Sequence, residues 1–309
     1  MQKFHSHGKL LITGEYVVLD GATALALPTR YGQSLEAEPL DRPEISWKSF
    51  DRENKLWFEE SFRIQDILSK ESSEFTPTSK KEEVSKMLFL TLHSAAQLKP
   101  DLFSEEKGFE VNTKTDFPRD WGLGTSSTLV ANLSKWLEID AYMLLEKTFG
   151  GSGYDVAVAL EKTPITYQLQ KENRSILNTS FDPSFKDSLF FVHLNQKQDS
   201  RKSIEHYRRK NTGKITTSIE KISALTHRVI SCTSLQEFEL LLEIHENIIS
   251  QVTGLEKVKN RLFPDYNGPV KSLGGWGGDF VLATGGKENQ EYFRTKGHNT
   301  VIPYKEMIL

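Results

Sequence analysis

Cysteine is almost missing from this chain: Cys232 stands alone. A single thiol excludes an intramolecular disulfide and any multi-cysteine zinc site, and it fits a reducing compartment. A surplus of either charge is missing too, with 39 Lys and Arg against 42 Asp and Glu, a net charge of -3 and a pI near 6.3. A dedicated nucleic-acid binder needs a basic surplus to neutralise phosphates, so that class is set aside. No apolar run reaches the length needed to cross a bilayer. Residues 1–20 lack the cationic start and unbroken apolar core of a signal peptide. HExxH and GxSxG are absent, which removes the simplest metalloprotease and serine-hydrolase readings. What remains is 309 residues, 37 % hydrophobic and 26 % charged, as expected for a globular protein of one large or two ordinary domains. The expectation is a soluble, cytoplasmic protein without nucleic-acid or membrane partners.

Periodicity predicts mixed strands and helices. Lys9 to Gly21 reads as two short apolar strands around the Gly14-Glu15 break, closed by the tight-turn pair Asp20-Gly21, and a third runs from Ala22 to Leu27. Residues 44–62 form a hairpin candidate around Asp51-Arg52-Glu53-Asn54, and residues 69–83, rich in Ser, Glu, Lys and Thr, read as a mobile surface loop. Val84, Met87, Leu88, Leu92, Ala95 and Ala96 recur at helical spacing over 83–98. Further helices are expected over 126–137, 140–148, 154–160, 217–231, 235–252 and 289–296. Strands are expected over 108–115, 164–169, 189–192, 269–272, 280–284 and 300–303, with a polar loop at Lys197, Ser200, Arg201 and Lys202. Without a regular βαβ alternation, this order predicts an α+β fold, with a domain boundary near Asp182.

Three glycine-rich turns need a reason, because glycine is placed where the backbone takes positive φ or approaches a ligand. The first, Gly122-Leu123-Gly124-Thr125-Ser126-Ser127, follows a strand and opens a helix. Successive N–H groups at a helix N-terminus bind anions, and the hydroxyls add donors and a Mg²⁺ ligand. It is neither a P-loop nor GxGxxG; its alternative role is a capped strand-to-helix turn. The second turn ends in Ser152-Gly153-Tyr154-Asp155, where a carboxylate either takes a proton from an attacking hydroxyl or stabilises its own helix. The third, from Gly274 through Gly275, Gly277 and Gly278 to Asp279, carries more glycine than a hairpin requires. Lys9 is suited to neutralising a transferring phosphoryl group, or is a solvated surface charge. Glu15 is either a buried polar contact to substrate or a turn residue.

Taken in order, these pieces resemble the GHMP kinases (galacto-, homoserine, mevalonate and phosphomevalonate kinases) along nearly the whole chain. His7-Gly8-Lys9 through Gly14-Glu15-Tyr16 is similar to the family's PGK and GE motif, and Pro118 to Ser126 to its P-x-x-x-GLGSS. Ser152-Gly153-Tyr154-Asp155 is similar to SG-x-D, and Gly274 to Asp279, preceded by Lys271-Ser272, to GAGGG(D). The resemblance implies two domains: residues 1–181, like domain 2 of ribosomal protein S5, and residues 182–309, ferredoxin-like. It implies that Gly122, Leu123, Gly124, Thr125, Ser126 and Ser127 cradle the phosphates of ATP, that Ser126 touches Mg²⁺, and that Lys9 and Asp155 are catalytic. Acceptor contacts fall on Glu15, Tyr16, Ser152, Gly153, Gly275, Gly277, Gly278 and Asp279.

Gly14-Glu15-Tyr16, where mevalonate kinases usually have GEH, and Lys271-Ser272 lean toward a phosphomevalonate kinase in isoprenoid precursor synthesis, with mevalonate a close second acceptor. Three departures stand out. Glu146 is the nearest candidate for the family's Mg²⁺-binding glutamate, at shorter spacing. Trp121 and Trp276 replace small residues, which would narrow the nucleotide pocket or change base preference, and His7 replaces proline. Other readings are a sugar or amino-acid kinase on the same scaffold, or a degenerate member that binds nucleotide without catalysis. The expected assembly is a monomer or homodimer.

Overall fold

The computed structural model describes residues 1–69, 79–103, 106–171, 173–196, 200–210, 215–275 and 278–309. The chain forms two compact units that interleave in sequence. The first holds residues 1–8, 31–119 and 124–160; the second holds 9–30, 120–123 and 161–309. The boundary expected near Asp182 falls inside the second unit. Strands β1 (Gln2–Thr13) and β2 (Ala24–Leu40) each run from one unit into the other.

In the first unit follow β3 (Glu44–Phe50), β4 (Leu56–Arg63), α1 (Ile64–Leu68), α2 (Lys80–Leu98), β5 (Gly108–Thr115), α3 (Thr125–Leu137), α4 (Ala141–Lys147) and α5 (Tyr154–Glu161). β3 pairs antiparallel with β4 and parallel with β5, and β5 pairs antiparallel with the later half of β2. Strict alternation along β3 buries Ile45, Trp47 and Ser49 on one face. That face meets the apolar stripes of the helices, so Leu35, Trp47, Phe58 and Val111 pack with Leu88, Leu92, Leu133 and Val156 in one core.

The second unit continues with β6 (Ile165–Gln170), β7 (Asn173–Asn178), β8 (Leu189–His193), α6 (Ser200–Lys210), α7 (Thr216–Ser231), α8 (Leu235–Thr253), α9 (Val258–Leu262), β9 (Val270–Ser272), β10 (Phe280–Thr284), α10 (Lys287–Thr295), β11 (Val301–Pro303) and α11 (Tyr304–Met307). The start of β2 pairs antiparallel with β6, and β6 with β7. A separate antiparallel sheet runs β11-β8-β10-β9. Its inner strand β8 is buried at every residue, as its continuous run Leu-Phe-Phe-Val demands. Phe190, Val192, Val281, Phe263 and Phe293 form the core against it.

Several sequence expectations change. Residues Val17–Asp20 form a 3-10 turn rather than a strand, because Gly14 and Tyr16 both take positive φ (95° and 63°) and end β1. β2 does not stop before Pro28 but runs to Leu40; Thr29 is bridged by Ile308, and Pro28 O accepts the Leu309 N–H. β7 has no counterpart in the sequence reading. Lys202 lies on α6, not in a loop, and Lys80 to Glu83 already belong to α2, whose cap Ser79 accepts the Glu82 N–H at 3.2 Å. The rest of the expected mobile loop, 70–78, and Lys197 lie outside the described residues.

Candidate functional site

The first glycine turn begins in the second unit, where four contacts hold it. The Lys9 N–H donates to Leu123 O (3.0 Å) and the Lys9 ammonium to Gly122 O (3.1 Å). His193 Nε2–H donates to Asp120 O (3.2 Å). Trp121 is buried edge-on against Phe280, ring centroids 5.4 Å apart, and tilts over His193. The indole therefore anchors the turn to β8 and β10. The Asp279 carboxyl lies against Gly122 itself: a Cβ there would fall 2.3 Å from its Cγ, and φ is +66°. Only glycine fits this place. Asp279 is fixed in turn, its N–H on Gln196 O and its own carbonyl accepting the Leu194 N–H, both at 2.8 Å. Gly275 and Gly278 lie in the same loop, with the Gly278 N–H on Gly275 O (3.2 Å). Gly277 and Trp276 lie outside the described residues.

In the first unit the turn passes through Gly124, φ +94°, into α3. Ser127 is buried and donates to Gly124 O (2.8 Å), and Thr128 donates to Gln33 Oε1 (2.8 Å). These bonds close the first turn of α3 inward. Thr125 is half-exposed and Ser126 exposed, so their hydroxyls are the ones presented at the helix N-terminus. There the backbone N–H groups and the helix dipole favour an anion. Ser152 and Gly153 are buried before α5; Asp155 stands half-buried in its first turn, where Oδ1 accepts the Val156 N–H (3.1 Å). Glu146 is exposed on α4. Among the described residues no three His, Cys, Asp or Glu gather as a metal cage. Mg²⁺ that arrives with a nucleotide needs only one or two protein donors beside the phosphates, and the Ser126 hydroxyl is of that kind.

Glu15 and Tyr16 follow β1 in the second unit. The Glu15 carboxylate is fully buried and receives the Lys271 ammonium. Burial pushes its carboxyl up from the usual range while Lys271 pulls it down. Tyr16 stacks on Tyr207, centroids 5.5 Å apart, and the Tyr207 hydroxyl donates to Asp20. Sequence reading missed these partners. His193 and Tyr207 carry no motif, and Lys271 enters the sequence pattern only as a neighbour of the third glycine turn.

No protein-family model matches the chain, and no curated protein sequence matches it. Solved structures do. A crystal structure of mevalonate kinase covers 97 % of this chain and 97 % of its own, with a TM-score of 0.71 and 14 % identity. Streptococcus pneumoniae phosphomevalonate kinase in complex with phosphomevalonate and AMPPNP covers 96 % of each chain, with a TM-score of 0.66 and 14 % identity. Lactococcus lactis galactokinase complexed with galactose covers 96 % of this chain and 88 % of its own, with a TM-score of 0.61 and 12 % identity. The chain has the GHMP kinase fold. At such identities the likeness is one of fold, so chemistry on the GHMP kinase scaffold has to be argued from the residues. Gly122 and Gly124 both hold positive φ, 66° and 94°, as expected of glycines in such a turn.

Proposed function

We propose that this chain is an ATP-dependent small-molecule kinase that transfers the γ-phosphoryl group to a hydroxyl of mevalonate or 5-phosphomevalonate. The observation that carries it is the Gly122 to Ser126 turn: its first half is held by Lys9, Asp279 and His193, and its second half opens α3 with the Ser126 hydroxyl exposed. Phosphoryl transfer is mainly positioning and electrostatic stabilisation, which such a turn supplies. On this reading the α3 N–H groups with Thr125 and Ser126 bind the nucleotide phosphates. Asp155 takes the proton of the acceptor O–H as its oxygen attacks phosphorus, and Lys9 offsets charge on the transferring group. Ser126 and Glu146 would hold Mg²⁺, which supplies charge neutralisation at the phosphates. Tyr16, Ser152, Gly153 and the Gly275 to Asp279 loop are proposed as acceptor contacts. The division at 1–181 and 182–309, and a cytoplasmic monomer or homodimer, belong to the same proposal.

The phosphomevalonate kinase neighbour, bound to AMPPNP, supports ATP as donor. The galactokinase neighbour keeps a sugar acceptor as the second reading. The test is ADP release coupled to product mass, with ATP, Mg²⁺ and separate samples of mevalonate, 5-phosphomevalonate, galactose and homoserine. Asp155→Asn and Lys9→Met are each expected to cut turnover by about 100-fold or more while the chain stays folded. Near-normal turnover in both would sink the assigned roles, and product from galactose alone would move the acceptor to the second reading.

A further inference from the structure

The second unit buries a cluster of four ionisable side chains that the proposed chemistry does not use. Lys271 and His245 are 0 % exposed, Glu15 1 % and Glu246 3 %. They come from β9, the turn after β1, and α8. The Lys271 ammonium donates to Glu15 Oε1 and to Ser272 O (2.8 Å). His245 Nε2 stands 3.2 Å from Glu15 Oε2 and accepts the Gly14 N–H (3.0 Å), an acceptor role that belongs to the neutral tautomer with its proton on Nδ1. Burial and the nearby Lys271 charge also hold this imidazole neutral. Nδ1 stands 3.9 Å from Glu246 Oε1. Among the described residues neither oxygen of Glu246 has a full hydrogen-bond partner, though the nearby Ser272 backbone favours its ionised form. One cation already faces one carboxylate. A second ionised carboxylate in this interior would be uncompensated.

We propose that Glu246 is a positioning residue that works as a neutral carboxylic acid: its proton keeps Lys271 committed to Glu15, and so fixes both the Gly14-Glu15-Tyr16 turn and the strand leading into the Gly274 to Asp279 loop. Its charged surroundings are few. Lys271 and Lys257 favour its ionised form, and Glu15 opposes it. α7 packs against α8; its buried residues Ile222, Leu225, Thr226 and Val229 are not ionisable, and its Arg228 is paired with Glu237 at the start of α8, nine positions before Glu246 (2.7 Å). From α6, His206 meets α8 only at its far end, on Thr253 O. Burial dominates and pushes the Glu246 carboxyl up to about 8. Above that pH a second negative charge competes for the Lys271 ammonium, and the two segments lose their common anchor. Glu15 thus acts through Lys271 and the backbone rather than on the acceptor.

The proposal rests on the kinase reading only for its effect on turnover. The test is Glu246→Gln, which keeps the shape of the neutral acid and removes its ionisation. Wild-type turnover is expected to be about tenfold lower at pH 9 than at pH 7, whereas the variant keeps its pH 7 rate, within about twofold of wild type, up to pH 9. Infrared spectra of the whole chain should show a protonated-carboxyl band near neutral pH that fades as the pH rises through 8 and is missing in the variant. A folded variant that loses more than about tenfold at pH 7, the same alkaline limb in both proteins, or no such band in wild type would each overturn the proposal. Should the variant fail to fold, the wild-type band and its titration decide. A chain that turns over no acceptor yet shows the band, lost in the variant, would sink the kinase reading and leave the neutral acid standing.

Discussion

At Gly122 the backbone has room for a hydrogen and nothing larger, since the Asp279 carboxyl occupies the place of a Cβ. Gly122→Ala adds that clash to a left-handed backbone, so we expect a loss of about 2 kcal/mol of stability in denaturant titration, with turnover falling further than stability explains. Glu246 makes a prediction of the opposite kind, because it changes stability with pH while leaving the fold alone. Its folded carboxyl sits above the unfolded value of 4.5, so its contribution is complete below 4.5 and is lost as pH rises through about 8. His245 is shifted down from 6.5, so its contribution runs the other way and is lost as pH falls below 6.5. The two oppose each other between 4.5 and 6.5. Between 6.5 and 8 only Glu246 of this pair acts, and wild-type stability should fall relative to Glu246→Gln by about 1.4 kcal/mol per pH unit. Chemical denaturation across that window checks it; parallel curves would count against a protonated Glu246.

The element that matters most is the strand-turn-helix from β5 to α3. Its turn is held by large buried groups, Trp121 above all, whose indole packs on Phe280 and His193. Trp121→Ala should cost about 3 kcal/mol of stability. It should also weaken nucleotide binding measured by calorimetry, because the N–H groups of α3 lose a fixed starting point. Unchanged affinity in a folded variant would show that Gly122 and Lys9 suffice. The sequence reading handled such elements unevenly. α2, α7 and α8 were legible because apolar residues repeat at helical spacing, and the β3-β4 hairpin because buried and exposed residues alternate about a polar tip. β7 was not, since its short run Asn173–Asn178 buries no residue fully and pairs with β6 through backbone bonds that any side chain permits. Pro28 hid the length of β2 by mimicking a strand end.

For the molecule as a whole, one cysteine gives a clean global readout. Cys232 is buried, its thiol donates to Ser234 O (3.1 Å), and burial raises its pKa. Thiol reagents should label it slowly in the native protein and quickly once the chain unfolds, with no change in thermal midpoint on adding reductant. Rapid native labelling would mean that the α7-α8 connection opens on its own.

Most of the longer elements, the α+β class and the three glycine turns follow from the sequence, because period, turn chemistry and positive φ are local demands that each residue type answers by itself. Which charges face each other does not. Glu15 and Lys271 are 256 positions apart, and Thr13 bonds Thr226 across 213. In the sequence Glu246 is one more acidic residue on an amphipathic helix. Only the packing of β9 against α8 takes it out of water, and desolvation, a property of the folded interior, then sets its charge.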